Sequence, residues 1–229
     1  MEVIGEYGKY IAILAGLISG LPLVWQRREK LAVKSAAGSL AVCIMFSVFS
    51  VLSALLFGCL ESVISGNGMT FSAISTYGIY SICPLLILLV CRFTGKEAKA
   101  VFDVYALYAL PSLFFLRINC MAAGCCGGRQ IGLTELHWPT RQAEMIFYLI
   151  MFVILLKREH KAKAGTAFPL LTGAYGIFRF FCEWLREADT GSLVHLAHGW
   201  SCLAAVIGLG IYFELANEDK RKGSTRKGV

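Results

Sequence analysis

The chain has 229 residues, of which 57% are hydrophobic and 16% charged, and its mean hydropathy is +0.64. Soluble domains run at roughly 45–50% apolar and about 25% charged, so a soluble enzyme is excluded and an integral membrane protein is expected. The net charge of +7 would suit nucleic acid, but the lysines fall in short loops between apolar runs, where membrane orientation and lipid headgroups account for them.

The first apolar run extends from about Tyr7 to Trp25 and is followed by Gln26-Arg27-Arg28-Glu29-Lys30. Tyr7 and Tyr10 sit at its start, as tyrosines do at a membrane interface. It is long enough to span and no small-residue cleavage site follows, so a retained helix is expected rather than a signal peptide. A second helix is expected over about Ala36 to Leu60, with Ser65-Gly66-Asn67-Gly68 in its turn-rich exit. The third covers about Phe71 to Cys91, with Tyr77-Gly78 early and Pro84 near its middle, where a kink is expected.

The fourth helix spans about Val101 to Leu116, contains Pro111 and delivers Arg117. Between Arg117 and Arg141 lies the longest irregular stretch, the kind of loop that carries function. A fifth helix is expected over Gln142 to Leu156, a sixth over about Thr166 to Leu185 and a seventh over about Leu193 to Leu215. The remainder, Asn217 to Val229, is polar, basic and expected to be disordered. The organisation is therefore an all-α fold: one transmembrane domain at 1–216 with seven helices, then a basic tail at 217–229.

Loop charges give the orientation. With the N-terminus outside, the inward segments collect Arg27, Arg28, Lys30, Lys34, Arg92, Lys96, Lys99, Lys157, Arg158, Lys161 and Lys163, and the tail completes 16 of the 22 basic residues. Positive charge favours the cytoplasmic side, so the C-terminus is placed there. Five of the other six are arginines: Arg117, Arg129, Arg141, Arg179 and Arg186, with Lys9 the sixth. An arginine at membrane depth costs about 2.5–3.5 kcal/mol on insertion scales, and its planar fork grips two phosphate oxygens as lysine does not. The outward face is expected to hold a phosphate. A plainer reading stands beside it, because Arg179, Glu183 and Arg186 at i, i+4 and i+7 also make a structural ion-pair ladder. Glu183 can orient an arginine under either reading.

Cys43, Cys59, Cys83 and Cys91 lie in apolar spans, where cysteine behaves as a small hydrophobe. Cys120, Cys125 and Cys126, with His137 nearby, offer soft ligands, but their spacing matches no standard site and no metal is expected. A bridge between adjacent Cys125 and Cys126 would be strained. Gly124, Gly127 and Gly128 suit a tight turn and close backbone approach better than a phosphate cradle. Glu135 is expected in a solvated loop, Glu144 at a helix start and His160 in solvent.

Two motifs bring a family into view. Residues 117–129, R-I-N-C-M-A-A-G-C-C-G-G-R, resemble the R-I-G-[NC]-x-x-x-G-x-x-x-G-R signature of bacterial prolipoprotein diacylglyceryl transferases. Tyr175, Gly176, Arg179, Phe180, Glu183, Arg186 and Asp189 fall at the offsets of that family's Y-G-x-x-R-F-x-x-E-x-x-R-x-x-D motif. Weaker echoes are Tyr7-Gly8, the stretch Trp138 to Glu144 against H-P-[ST]-Q-L-Y-E, and Gly199 at the opening of the last helix.

The resemblance implies an inner-membrane enzyme without a cofactor, transferring the diacylglyceryl group of phosphatidylglycerol to the lipobox cysteine of a prolipoprotein signal peptide. It implies Arg117, Arg179 and Tyr77 as catalytic residues, and Tyr7, Gly128, Arg129, Arg141, Glu183 and Arg186 as substrate-binding ones. No nucleic acid is expected as a partner. Departures are also visible. Tyr77 stands where the family has a histidine in its third helix, Trp138 and Arg141 replace histidine and glutamine, Cys120 replaces asparagine, and the periplasmic insertion shrinks to about Gln130 to His137. Tyr77, His137 and His198 remain open as proton acceptors. A relative that binds or moves phospholipid without transferring it is the alternative. A small-solute transporter would carry mid-span charges and internal repeats, and neither is seen.

Overall fold

The computed structural model describes residues 2–66, 68–69, 74–132, 135–186 and 196–226, with 2–6, 9 and 219–226 described by their backbone. Asn67, Phe71, Asp189, Leu193 and Lys227 lie outside the described residues. Among the described residues seven helices follow in chain order: α1 (Glu2–Gln26), α2 (Ala36–Ile64), α3 (Tyr77–Thr94), α4 (Ala98–Ala122), α5 (Thr140–Arg158), α6 (Ala167–Glu183) and α7 (Leu196–Arg226). Among the described residues, β-structure is limited to two isolated bridges, Gly128 with Arg186 and Gln130 with His137. The helices α2, α3, α4 and the Leu196–Glu218 part of α7 are long and apolar enough to cross a membrane, and α1 adds a shorter apolar run, Tyr10–Gln26.

Helix ends depart from the apolar runs for physical reasons. The backbone N–H of Ser75 donates to the Ala54 carbonyl of α2 (3.0 Å), so this stretch is tied sideways and α3 begins only at Tyr77. Pro84 and Pro111 sit inside helices that continue past them. α4 does not stop at Leu116 but carries Arg117 and Cys120 on its last turns, so the irregular stretch starts after Ala122. The tail expected to be disordered is helical to Arg226. Extending an existing helix adds one hydrogen bond per residue, and Ala, Glu, Lys and Arg favour it.

α4 is the central element and packs against α1, α2, α3, α5 and α6. Tyr105 and Tyr108, fully buried on it, hold Phe46 of α2 at ring distances of 5.1 and 5.3 Å and share hydrogen bonds with Ser50 and Ser47. α6 and α7 cross closely because glycines meet. A Cβ on Gly208 would stand 2.3 Å from the Gly173 nitrogen, and one on Gly176 would stand 2.4 Å from that of Ala205.

The end of the bundle holding the C-termini of α1, α3 and α5 is basic. There Glu159 accepts from Arg27 Nε (2.8 Å) and Lys30 Nζ (2.9 Å), which joins α1 to α5. Thr166 makes no side-chain cap at the start of α6, so Asp103 of α4 does so, accepting from the Gly165 and Ala167 N–H groups at 2.7 and 2.9 Å.

Candidate functional site

The opposite end gathers the C-termini of α4 and α6 and the N-terminus of α5. Arg117 lies near the end of α4, Arg179 near the end of α6 and Glu144 in the second turn of α5. All three are buried, at 6%, 5% and 2% exposure. Arg117 Nη2 lies 2.5 Å from Glu144 Oε2, and Arg179 Nη1 pairs with Glu144 Oε1. The chain of charges continues from Arg179 Nη2 to Glu183 Oε2 (2.9 Å) and from there to Arg186 Nη1 (3.5 Å).

Arginines from separate helices thus meet on a single carboxylate. Three guanidiniums meet two carboxylates here, and Glu61 of α2 lies close enough to Arg179 and Glu183 to interact with their charges. Arg179 Nε and Arg186 Nε are buried with no hydrogen-bond partner among the described residues. Buried donors seldom go unmatched, so these point to an acceptor that a bound anion would supply. Beneath the charges, Tyr175 stacks on Tyr80 (4.3 Å between rings) and lies near Tyr148 (6.4 Å), sealing the site from the interior.

Glu144 is the site residue that sequence reading missed. Its position predicts an ordinary helix-start residue, yet it is fully buried and bridges both arginines. The available signal was its place as the final acid of the Trp138 to Glu144 stretch, four residues before buried Tyr148 on the same helix face.

The other expected residues divide. Glu183 and Arg186 join the chain of charges. Tyr77 stands at the start of α3, but its hydroxyl shares a hydrogen bond with Ser201 (2.6 Å) and donates to the Ala197 carbonyl (3.0 Å), both on α7. It is Thr76, its neighbour, that accepts from Arg117 (3.4 Å). Arg141 braces the loop, with Nη1 donating to the Cys120 carbonyl at 3.4 Å. Arg129 is exposed, and its N–H donates to the Leu185 carbonyl (2.9 Å). Gly128 is a packing point, because a Cβ there would meet the Trp138 carbonyl oxygen at 2.1 Å. Tyr7 is 57% exposed, while Gly8 beside it presses on Asn119 of α4. His137 Nδ1 contacts the Gly128 carbonyl (2.8 Å), and His198 is buried against Phe180 and Trp184. Glu135 and His160 are exposed, as expected.

A lateral apolar cavity of about 550 Å³ runs between α3, α6 and α7, with Tyr77 and Trp200 near its site end and Lys99 and Leu215 at the other.

A helical bundle with apolar spans and a buried arginine–carboxylate cluster at one end defines a helical membrane protein with guanidinium groups placed to meet an anion. The family model of the prolipoprotein diacylglyceryl transferases matches residues 3–214, and the chain belongs to that family. It is 26% identical over 165 residues to a phosphatidylglycerol–prolipoprotein diacylglyceryl transferase of Clostridium tetani, covering 64% of each chain. It is 28% identical over 155 residues to one of Nitratidesulfovibrio vulgaris, covering 59% of this chain and 57% of that protein. The chain thus spans about six-tenths of the length of these curated relatives.

Proposed function

We propose that the protein transfers the diacylglyceryl group of phosphatidylglycerol to the cysteine thiol of prolipoprotein signal peptides, at the outer leaflet of a bacterial inner membrane. The orientation proposed is seven crossings with the N-terminus outside and the C-terminus cytoplasmic, which puts the Glu159 end inside and the Arg117 end outside. Family membership and the names of the relatives support the chemistry. The observation that carries it to these residues is the convergence of Arg117 and Arg179 on Glu144.

In this reaction a thiolate attacks a glycerol carbon while a phosphate ester departs, so negative charge grows on the leaving oxygens. Arg117 and Arg179 stabilise that charge without reorganising, because Glu144 already holds them in place. One preorganised donor of this kind is worth about 2.7–4 kcal/mol in comparable sites. Arg186 extends the grip, with Glu183 orienting it and Arg179, and the cavity between α3 and α7 takes an acyl chain. Tyr77, with its hydroxyl engaged by Ser201 and Ala197, positions α3 against α7 and leaves the proton acceptor to another group.

That engagement also favours the second reading, a phospholipid-binding relative without transfer. Expression of the chain in cells depleted of their own transferase separates the two. A mass gain of one diacylglyceryl group on a precursor supports transfer; retained phosphatidylglycerol binding with unmodified precursor overturns it.

A further inference from the structure

Three thiols stand beside the arginine site without a role in it. Cys120 lies one turn beyond Arg117, and the chain then reverses through Gly124 and Cys126, both in the left-handed region (φ +68° and +58°). This brings the sulfurs of Cys120, Cys125 and Cys126 within 4.8 Å of one another. Cys120 is buried, Cys126 half-buried and Cys125 exposed, so the cluster is open on one side. Arg117 Nη1 approaches Cys120 Sγ at 3.9 Å, and Arg141 holds the Cys120 carbonyl from below. Cys43, Cys83 and Cys91, in contrast, are buried in the helical core and serve packing.

We propose that Cys120, Cys125 and Cys126 form a three-thiolate seat for a thiophilic d10 cation, zinc(II), whose fourth position stays open for the thiol of the acceptor cysteine. The inference rests on the proposed transferase reading and supplies what that reading lacks, a means of activating the acceptor. Zinc–sulfur bonds of about 2.3 Å in a tetrahedron place sulfurs roughly 3.8 Å apart, a contraction that the loop's exposed side permits. Three protein ligands and one open position are the arrangement of zinc sites that bind substrate. The thiolate is the metal-binding form. Arg117, whose Nη1 lies 3.9 Å from Cys120 Sγ, places positive charge beside that form.

The step balances without an oxidant or reductant. The acceptor thiol coordinates zinc and loses its proton to water, since a coordinated thiol is deprotonated. The sulfur's electron pair forms the new C–S bond as the glycerol C–O bond breaks, and that bond's pair moves onto the phosphate oxygen between Arg117 and Arg179. The thioether product has no charge to hold it on the metal and leaves. Proton removal, which contributes about 100-fold or more to such reactions, then needs no histidine in α3.

The test uses the full chain, purified reduced in detergent, with cobalt(II) as the spectroscopic probe. We expect one cobalt per chain, thiolate-to-metal charge-transfer bands, and their displacement by zinc. Cys120→Ser, Cys125→Ser and Cys126→Ser should each remove the bands, whereas Cys202→Ser, at an exposed cysteine on α7, should not. A lipobox peptide should shift the visible bands, and its cysteine-to-serine counterpart should not. In the unaltered protein, zinc should slow maleimide labelling of Cys125 at least about 10-fold while leaving Cys202 unchanged, a readout that no folding defect can imitate. Copper(I) alone protecting Cys125, absent cobalt bands, or a peptide thiol without effect on the spectrum would overturn the proposal. Arg117→Ala should keep the cobalt response and lose transfer. A wild-type chain that binds cobalt and the peptide thiol yet transfers no lipid refutes the transferase reading and leaves the thiol seat standing.

Discussion

The two ends of the helical bundle treat charge in opposite ways. At the basic end, Glu159 pairs with Arg27 and with Lys30, itself 48% exposed, and Lys99 meets Glu218 across solvent at 3.3 Å. The two lysine pairs contribute at most about 1 kcal/mol each, whereas Arg27 is itself buried against Glu159. At the other end every member of the Arg117–Glu144–Arg179 trio is more than nine-tenths buried. Charges held that far from water hold together as a group, since removing one partner exposes the cost of burying the rest. Lysine makes the exposed pairs, and arginine the buried ones.

The contrast is sharpest at Glu144. Glu144→Ala should destabilise the protein by about 3–5 kcal/mol, because two buried guanidiniums lose their common partner. Urea or thermal unfolding in detergent measures this, and Glu144→Gln separates lost charge from lost volume. Unchanged stability in both variants would mean that the trio is solvated and the comparison fails.

Arg117→Ala and Arg179→Ala should each lower transfer about 100- to 1000-fold, and the lysine replacements nearly as much, since the two-point fork is lost. Mass spectrometry of the precursor gives the rates; a lysine variant with near-normal turnover would reduce the arginines to plain point charges. At the glycine crossing, Gly208→Leu should cost roughly 1–3 kcal/mol by forcing α7 away from Gly173, read as a lower melting temperature. A neutral outcome there would detach α6, and with it Arg179, from the support of α7.

The smallest effect belongs to the basic end. Burial raises the Glu159 carboxyl, but hydrogen bonds from Arg27 and then Lys30 outweigh it, and the group lies below its ordinary value. A carboxyl depressed in the folded state adds stability that is present at neutral pH and is lost as pH falls through its folded value, below the usual carboxylate range. The loss should be smaller than that at Glu144, and Glu159→Gln should flatten it in a melting series across acid pH.

Helix number and order were legible because each apolar run is long and bounded by charge. Helix ends were not. The continuation of α4 through Arg117 depends on a carboxylate that arrives from α5, and nothing near Arg117 in sequence announces it. Arg117 and Arg179 could be named from arginine's cost at depth and from motif offsets, but their common partner could not. Glu144 reads as an ordinary helix-start acid until α4 and α6 close over it. The thiol cluster was hidden for a related reason: the C-x4-C-C spacing fits no familiar site, and only a helix end followed by two left-handed residues brings its sulfurs together.

The bridge between Gln130 and His137 closes the stem of the hairpin after α4, and the Arg129 to Leu185 hydrogen bond fastens that stem to the end of α6. A stem shut at its base insulates what lies below from the length of what lies above. The loop above the stem can therefore lengthen or shorten while the register of Arg129 against α6 stays the same.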